Sequence, residues 1–111
     1  MKTLKTPYYD GRIIRFVDGD TCRVEMAIGF EVIIARAWRL TRIDSWELES
    51  KNRAEAENAA QRLTVRFGGA LVQLMPSTKG FDCYGRLRGE IMYQGELVSD
   101  LVVSAGLGWY I

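Results

Sequence analysis

A strict alternation of apolar and polar residues constrains the fold more than any other feature of this sequence. Cys22, Val24 and Met26 alternate with polar residues, which is the spacing of a strand with one buried face. Asp18 and Asp20 are in step with this row, so both carboxylates are predicted to lie at the end of a core-facing row. Two such carboxylates repel each other unless a cation or arginine side chains lie between them. The alternative interpretation is an Asx-type turn, because Asp-Gly is a common turn dipeptide.

The same two-residue alternation predicts the other strands, and residues typical of turns separate them. Strands are predicted over residues 8–17, 21–27, 31–43, 70–75 and 86–94. In the first of them, the even spacing predicts that Ile14 and Phe16 share one face. Gly29 closes a hairpin between the second and third strands, and Pro76 is expected to end the fourth.

Two helices complete the predicted secondary structure. A helix is expected over residues 50–67, because its apolar residues fall on one stripe and two glycines follow it. The residues of this stripe are Ala56, Ala60, Leu63 and Phe67. A short second helix is expected after Gly95, with Ser99 as its N-cap.

The order of these elements predicts the fold class. Five strands with a helix between the third and the fourth follow each other as in an OB-fold, a small and partly open barrel. The 111 residues are enough for one compact domain and too few for two. We therefore expect a single domain over residues 1–111, of the α+β and mainly β class, with a five-stranded OB-fold barrel and two helices.

The composition excludes several kinds of functional site. The sequence contains no histidine, which excludes a catalytic triad with an imidazole base and a zinc site made of cysteine and histidine ligands. Cys22 lies in a core-facing strand and Cys83 in a polar loop, so both are expected to be free thiols. The net charge is only +1, and an anionic ligand must therefore be held locally. Most positive residues are arginines, whose planar fork of donors suits phosphate.

Membrane and targeting segments are not apparent. No apolar run approaches the length of a membrane span, and the first seven residues contain no apolar run typical of a signal peptide. We therefore expect a cytoplasmic protein that does not bind membranes.

The C-terminal residues Trp109, Tyr110 and Ile111 are large and apolar. Their side chains are expected to be buried, because each fully buried side chain of this size contributes roughly 1.5–3 kcal/mol. We favour a monomer in which they fold back over the second helix and the barrel wall. The alternative is a two-fold homodimer formed through this tail.

Charged residues interrupt the apolar pattern at several places, among them Arg39, Asp44, Glu47 and Arg86. Arg39 lies inside the third strand, and Asp44 and Glu47 lie where that strand ends. Arg39 and Asp44 can share a site only if the strand bulges or Asp44 already lies in the turn, and we expect the turn. Each residue also has an ordinary interpretation, as a surface strand residue, a loop acid, or a partner for Asp82.

Several segments together carry a resemblance to one family. They are VDGDT at 17–21, RL at 39–40, IDSWE at 43–47, DCYGR at 82–86, LV at 101–102 and GL at 106–107. In this order and spacing, the chain resembles the staphylococcal nuclease-like, or thermonuclease, family. The resemblance covers nearly the whole chain, and it implies a nuclease that hydrolyses the phosphodiester bonds of DNA and RNA on an OB-fold barrel with the help of calcium.

The resemblance also implies a set of metal ligands. Asp20 and Asp44 would be the carboxylate ligands of the calcium ion, and the backbone carbonyl of Ser45 would be a third. Asp18 would lie just outside this shell. Ligands that are all oxygen atoms suit hard cations such as calcium.

The remaining roles concern the substrate. The resemblance implies that Glu47 orients or deprotonates the attacking water, that Arg39 and Arg86 hold the phosphate, and that Tyr84 lines the nucleotide site. Trp46 stands where the family usually has a proline, and Cys83 where a lysine is common. The aromatic segment and final helix that cradle the base in many members have no counterpart here.

Two other functions remain open at this point. A nuclease-like barrel can serve as a nucleic-acid-binding module without catalysis. In the second alternative, an OB-fold domain binds sugars or peptides and its charges form structural ion pairs, such as Arg39 with Glu47 and Arg86 with Asp82.

Overall fold

A computed structural model of the protein describes residues 8–81 and 85–111, with the side chains of residues 78–81 excepted. The elements of this part follow in the order β1 (Tyr9–Phe16), β2 (Thr21–Gly29), β3 (Val32–Leu40), β4 (Ile43–Asp44), α1 (Arg53–Phe67), β5 (Leu71–Phe81), β6 (Leu87–Tyr93), β7 (Glu96–Leu97), α2 (Val98–Ser104) and β8 (Trp109–Tyr110). No helix in the described residues is long and apolar enough to cross a membrane.

Five of these strands form a closed barrel. Neighbours in the order β3, β2, β1, β5 and β6 pair antiparallel, and a parallel pairing of β3 with β6 closes the ring. β7 extends the sheet beside β6, while β4 and β8 form a separate two-stranded sheet. The protein is therefore mainly β, with a closed five-stranded barrel and two helices, as the pattern of strands predicted.

The predicted core row of β2 is confirmed. Cys22, Val24 and Met26 are all buried in one core, and α1 packs its buried face against β1. The Cys22 thiol is free, and burial raises its pKa, so it is an unreactive core residue. Cys83 lies outside the described residues. The stripe of α1 differs from the prediction by one position, because Ala59 is fully buried while Ala60 is partly buried.

The prediction that Ile14 and Phe16 share one face is wrong. Ile13 is fully buried, whereas Ile14 is 41% exposed. The pairing of β1 with β2 shifts register between Ile13 and Arg15, which marks a β-bulge or a similar irregularity. One extra residue reverses the alternation of faces, so Ile13 and Phe16 point inward although they are three positions apart.

Three predicted boundaries also change. β5 does not end at Pro76 but continues to Phe81, with Pro76 paired to Gly89 and the register shifting beyond it. The single third strand is divided into β3 and β4. Ser99 is not the N-cap of α2, because the cap is Leu97 and the Ser99 hydroxyl donates a hydrogen bond to Glu90 instead.

The β2–β3 hairpin has an unusual turn. Phe30 and Glu31 have φ angles of 53° and 62°, a left-handed conformation that costs side-chain-bearing residues energy. Both central residues therefore have the positive φ angles of a type I′ turn, in which asparagine and glycine are the usual residues. The Phe30 side chain is fully exposed, so no packing within the described residues compensates this cost.

The C-terminal residues fold back, as favoured, but their side chains are not buried. β8 pairs antiparallel with β4, and the Ile111 N–H donates to the Arg42 carbonyl. The Tyr110 hydroxyl donates a 2.6 Å hydrogen bond to Asp100 of α2. Trp109, Tyr110 and Ile111 nevertheless remain 44%, 50% and 81% exposed. Backbone pairing with β4, rather than burial against the barrel wall, holds the tail.

Candidate functional site

The turn between β1 and β2 holds the first two acids. The Asp18 carboxylate accepts a 3.1 Å hydrogen bond from the Asp20 N–H, which is the Asx-type turn considered as the alternative. Asp20 is buried directly before β2, whereas Asp18 is half-buried. The turn is therefore present, and only Asp20 of the two acids extends the core-facing row. Gly19 is required between them, because a Cβ there would lie 2.0 Å from Ser45 Oγ and 2.6 Å from the Leu107 carbonyl.

The Asp20 carboxylate lies in a strongly perturbed environment. Burial, together with the hydrogen bond and charge of Asp18, raises its pKa to about 8 from an ordinary 3.8. Arg39 and the Thr21 hydroxyl oppose this shift, the latter by donating a 2.9 Å hydrogen bond to Asp20 Oδ1. The carboxylate charge is therefore only partly compensated by its protein neighbours.

Arg39 lies between the two predicted metal ligands. Its Nη2 atom is 3.6 Å from Asp20 Oδ2 and 3.8 Å from Asp44 Oδ1. Its Nη1 atom donates to the carbonyls of Leu40 and Ile43, which fix the guanidinium at the end of β3. The prediction that Asp44 lies in a turn is wrong, because Asp44 belongs to β4 and pairs with Trp109. It can share a site with Arg39 because the bend at residues 41 and 42 separates β4 from β3. The pair of Arg39 with Glu47, which belongs to the alternative with structural ion pairs, is not formed, since Arg39 pairs with Asp20 and Asp44.

Ser45 is buried behind the site and does not line the cleft with its side chain. Its hydroxyl donates a 2.7 Å hydrogen bond to the Leu107 carbonyl, and its N–H donates to Asp44 Oδ1. These contacts fix the backbone of residues 44 and 45 against the C-terminal tail. Because the Ser45 hydroxyl already donates to Leu107, the backbone carbonyl remains the Ser45 atom that is predicted to bind a metal.

Arg86 reaches the site from the segment before β6. Its Nη1 atom donates a 3.2 Å hydrogen bond to Thr21 Oγ1, and the same hydroxyl donates to Asp20. Thr21 therefore links a predicted phosphate-binding arginine to a predicted metal ligand. The predicted partner Asp82 and the predicted nucleotide-site residue Tyr84 lie outside the described residues.

All six predicted charged residues line one cleft of about 520 Å³. Its lining consists of Asp18, Asp20, Arg39, Asp44, Glu47, Leu48, Glu49 and Arg86. Glu47 is exposed, and its carboxylate forms no hydrogen bond or ion pair with another described side chain. It is therefore accessible to water inside the cleft.

The chemistry of the cleft fits a hard cation. Among the described residues, five lining side chains are carboxylic acids and two are arginines, so negative groups outnumber positive ones. A bound cation would offset part of this excess of negative groups. No group of three or more His, Cys, Asp or Glu side chains in the described part could hold a metal ion by itself. The expected ligand set has only two carboxylates, and its third member is a backbone oxygen.

Three parts of the site were not predicted. Thr21 falls between Asp20 and Cys22, so the alternation predicts an outward side chain. No pattern marks Glu49, and Leu107 belongs only to one of the matching segments. Trp46, which stands where the resembling family usually has a proline, packs against Trp109 with ring centroids 5.4 Å apart. The chain matches no protein-family model and no curated protein.

Proposed function

We propose that this protein is a divalent-metal-dependent nuclease of the staphylococcal nuclease-like kind, with an OB-fold barrel and calcium as the natural metal. The observation that carries the proposal is the cleft, in which six charged residues from four separate segments lie together. Structural ion pairs alone do not require this convergence. Arg39 pairs with two aspartates instead of with Glu47, and five acids share the cleft with two arginines.

In the proposed site, Asp20, Asp44 and the Ser45 carbonyl hold the cation. When bound, calcium supplies positive charge that offsets the charge developing on the phosphate oxygens. The Ser45 hydroxyl and the Gly19 contact support these ligands from behind, since both are packed against Leu107.

The two arginines bind the phosphodiester. The Arg39 guanidinium is oriented by two backbone carbonyls, and Arg86 is oriented by the Thr21 hydroxyl. Each can therefore offer N–H donors to the phosphate without a large loss of side-chain freedom.

Glu47 acts on water. Its exposed carboxylate accepts a proton from a water molecule while the water oxygen forms a bond to phosphorus. The bond between phosphorus and one ester oxygen breaks, and that oxygen leaves with the electron pair and takes up a proton. The products are a phosphomonoester and an alcohol.

The test is digestion of a single-stranded oligonucleotide by the full chain, with calcium and with excess chelator. We expect hydrolysis with calcium, none with chelator, and less with zinc than with calcium. Asp20→Ala should abolish both the hydrolysis and the calcium affinity measured by calorimetry. Full activity in chelator, or unchanged calcium affinity of Asp20→Ala, contradicts the proposal. Binding of the oligonucleotide without hydrolysis under every metal condition would favour the non-catalytic module.

A further inference from the structure

Two arginines lie opposite each other on the outer face of the barrel. Arg15 of β1 and Arg23 of β2 are directly opposed in the antiparallel ladder, so their side chains share one face. The next pair of the ladder, Phe16 and Cys22, is buried, which places both arginines on the outer face. Like charges that are directly opposed destabilise a sheet. Folding alone therefore does not favour this pair.

The charges of the two arginines are not compensated within the described residues. Neither guanidinium forms a hydrogen bond or an ion pair with a described residue. At the other end of the ladder, Arg12 is opposite Glu25, so those two charges are of opposite sign. Arg15 is exposed and Arg23 is half-buried, so a ligand can reach both. An anion bound between them would remove their repulsion.

The bulge in β1 brings Arg15 to this face. With a regular ladder beyond Ile13, Ile14 would lie opposite Arg23, and Arg15 would turn toward the core opposite Cys22. The extra residue instead leaves Ile14 41% exposed and turns Arg15 outward. An exposed isoleucine forgoes hydrophobic stabilisation, and bulges beside active sites often redirect a side chain. The bulge therefore indicates a use for Arg15 on the outer face.

Arg23 lies one step along β2 from the cleft. The alternation of the strand places it on the same face as Thr21, whose hydroxyl contacts Asp20 and Arg86 of the cleft. Two residues of a strand span about 7 Å, which is comparable to the spacing of adjacent phosphates in an extended single strand of nucleic acid. A strand with one phosphate in the cleft can therefore present its next phosphate to the arginine pair.

We propose that Arg15 and Arg23 form a second phosphate site, which binds a neighbouring phosphate of the same nucleic-acid strand. This proposal rests on the proposed function, because the cleft holds the phosphodiester that is hydrolysed. Two guanidinium groups offer several N–H donors to one phosphate, and proteins that bind single strands use positively charged grooves that follow the backbone. The second site therefore favours polymers with consecutive phosphates over substrates with a single phosphodiester.

The experiment compares two thymidine octamers of equal length. One has phosphodiesters throughout, and in the other every linkage except the central one is a neutral methylphosphonate. Hydrolysis by the full chain is measured with calcium. Affinity is measured with Glu47→Gln at several salt concentrations. We expect kcat/KM and affinity to favour the octamer with phosphodiesters throughout by about tenfold, the low end for a hydrogen bond to a charged group.

Variants assign this preference to the two arginines. The double variant Arg15→Gln and Arg23→Gln should lose most of it, and the slope of log affinity against log salt concentration should fall in magnitude by about 0.7, the value for one phosphate of a single strand. The double lysine variant keeps both charges and should keep the slope. Arg36→Gln is the control for each single replacement, because it removes one exposed arginine opposite the buried Val24. It should leave the preference unchanged.

The outcomes separate the two proposals. A preference and a salt slope that stay at the wild-type values in the double glutamine variant overturn the second site and leave the nuclease standing. A preference in affinity that depends on the arginines, without hydrolysis of either octamer, overturns the nuclease and supports the second site. An equal loss of affinity for both octamers shows that the arginines act through the cleft, which contradicts the second site. If thermal unfolding shows that the double variant does not fold, each single variant gives the same comparison with about half of the effect.

Discussion

At the scale of single residues, a few side chains determine the geometry of the cleft. Thr21 uses one hydroxyl to donate to Asp20 and to accept from Arg86. Arg39 uses one nitrogen for backbone carbonyls and directs the other at two carboxylates. Such donors fix charged groups in a shared cleft, where their mutual orientation decides what can bind.

Glu47 provides the most direct test of chemistry at this scale. Glu47→Gln keeps the size and polarity of the side chain but removes its ability to accept a proton. We expect kcat to fall by about 100- to 10,000-fold with little change in substrate affinity. Digestion stopped at a series of times measures kcat, and equilibrium binding of the same oligonucleotide measures the affinity.

Glu49→Gln is the matched control, because it removes the same charge from the lining of the same cleft. Its kcat should change by less than about tenfold, since it is assigned no role in proton transfer. If the Glu47→Gln variant hydrolyses the oligonucleotide at the wild-type rate, or if both variants lose activity equally, Glu47 is not the base.

Six of the seven charged residues that line the cleft could be predicted, because they stand out against an apolar pattern, whereas Glu49 could not. Thr21 could not, since threonine is ordinary in a strand and its partner Arg86 is 65 residues away. Tyr84 stays a prediction. The raised pKa of Asp20 also depends on burial that only the folded barrel creates.

At the scale of elements, the strands could be predicted from their alternation and α1 from its stripe. The bulge in β1 could not, because an extra residue leaves no mark in a pattern of Arg12, Ile13 and Ile14 until its partner strand is known. The extension of β5 beyond Pro76 depends in the same way on pairing with β6.

The β2–β3 turn leads to a prediction about stability. Replacing Phe30 and Glu31 together by Asn and Gly should stabilise the protein by about 1–2 kcal/mol, because both positions have positive φ and the exposed Phe30 ring loses no packing. This gain corresponds to a melting temperature higher by roughly 4–16 °C for a domain of this size. Thermal unfolding followed by circular dichroism measures it.

The β6–β7 turn serves as an internal comparison. Gln94 and Gly95 also have positive φ, but the second position is already glycine. Gln94→Asn should therefore raise the melting temperature less than the double replacement does. A lower melting temperature of the Asn-Gly variant would mean that Phe30 makes stabilising contacts, which the exposed ring does not suggest.

At the scale of the whole molecule, the two halves of the chain meet at the cleft. The turn at Gly19, the buried Ser45 and the Leu107 carbonyl are packed together, and β8 pairs with β4 beside them. The tail is thus part of the support of the predicted metal ligands. Its stability and the affinity of the site for metal should change together.

Deletion of residues 109–111 tests this coupling. The variant loses the β4–β8 ladder and should unfold with a free energy lower by roughly 1–3 kcal/mol, the value of two or three backbone hydrogen bonds. Calcium-dependent activity should fall as well, because Asp44 loses its strand partner. Unfolding curves at several protein concentrations and the digestion assay measure these effects.

Deletion of Ile111 alone is the control, since its side chain is 81% exposed and its N–H makes one bond to Arg42. It should cost much less than the longer deletion. A melting temperature that rises with protein concentration, together with sedimentation showing a dimer that the longer deletion converts to a monomer, would favour the alternative in which the tail joins two copies.

The hydrogen bond from Ser45 to Leu107 can form only after both residues have been synthesised. Ser45 and Leu107 are 62 positions apart. A ribosome that adds about 5–20 residues per second therefore synthesises Leu107 roughly 3–12 s after Ser45. During that interval the nascent chain contains Asp18, Asp20, Asp44 and Glu47 but lacks the carbonyl that Ser45 binds. The cleft is therefore completed only once Leu107 has been made, after every acid that lines it.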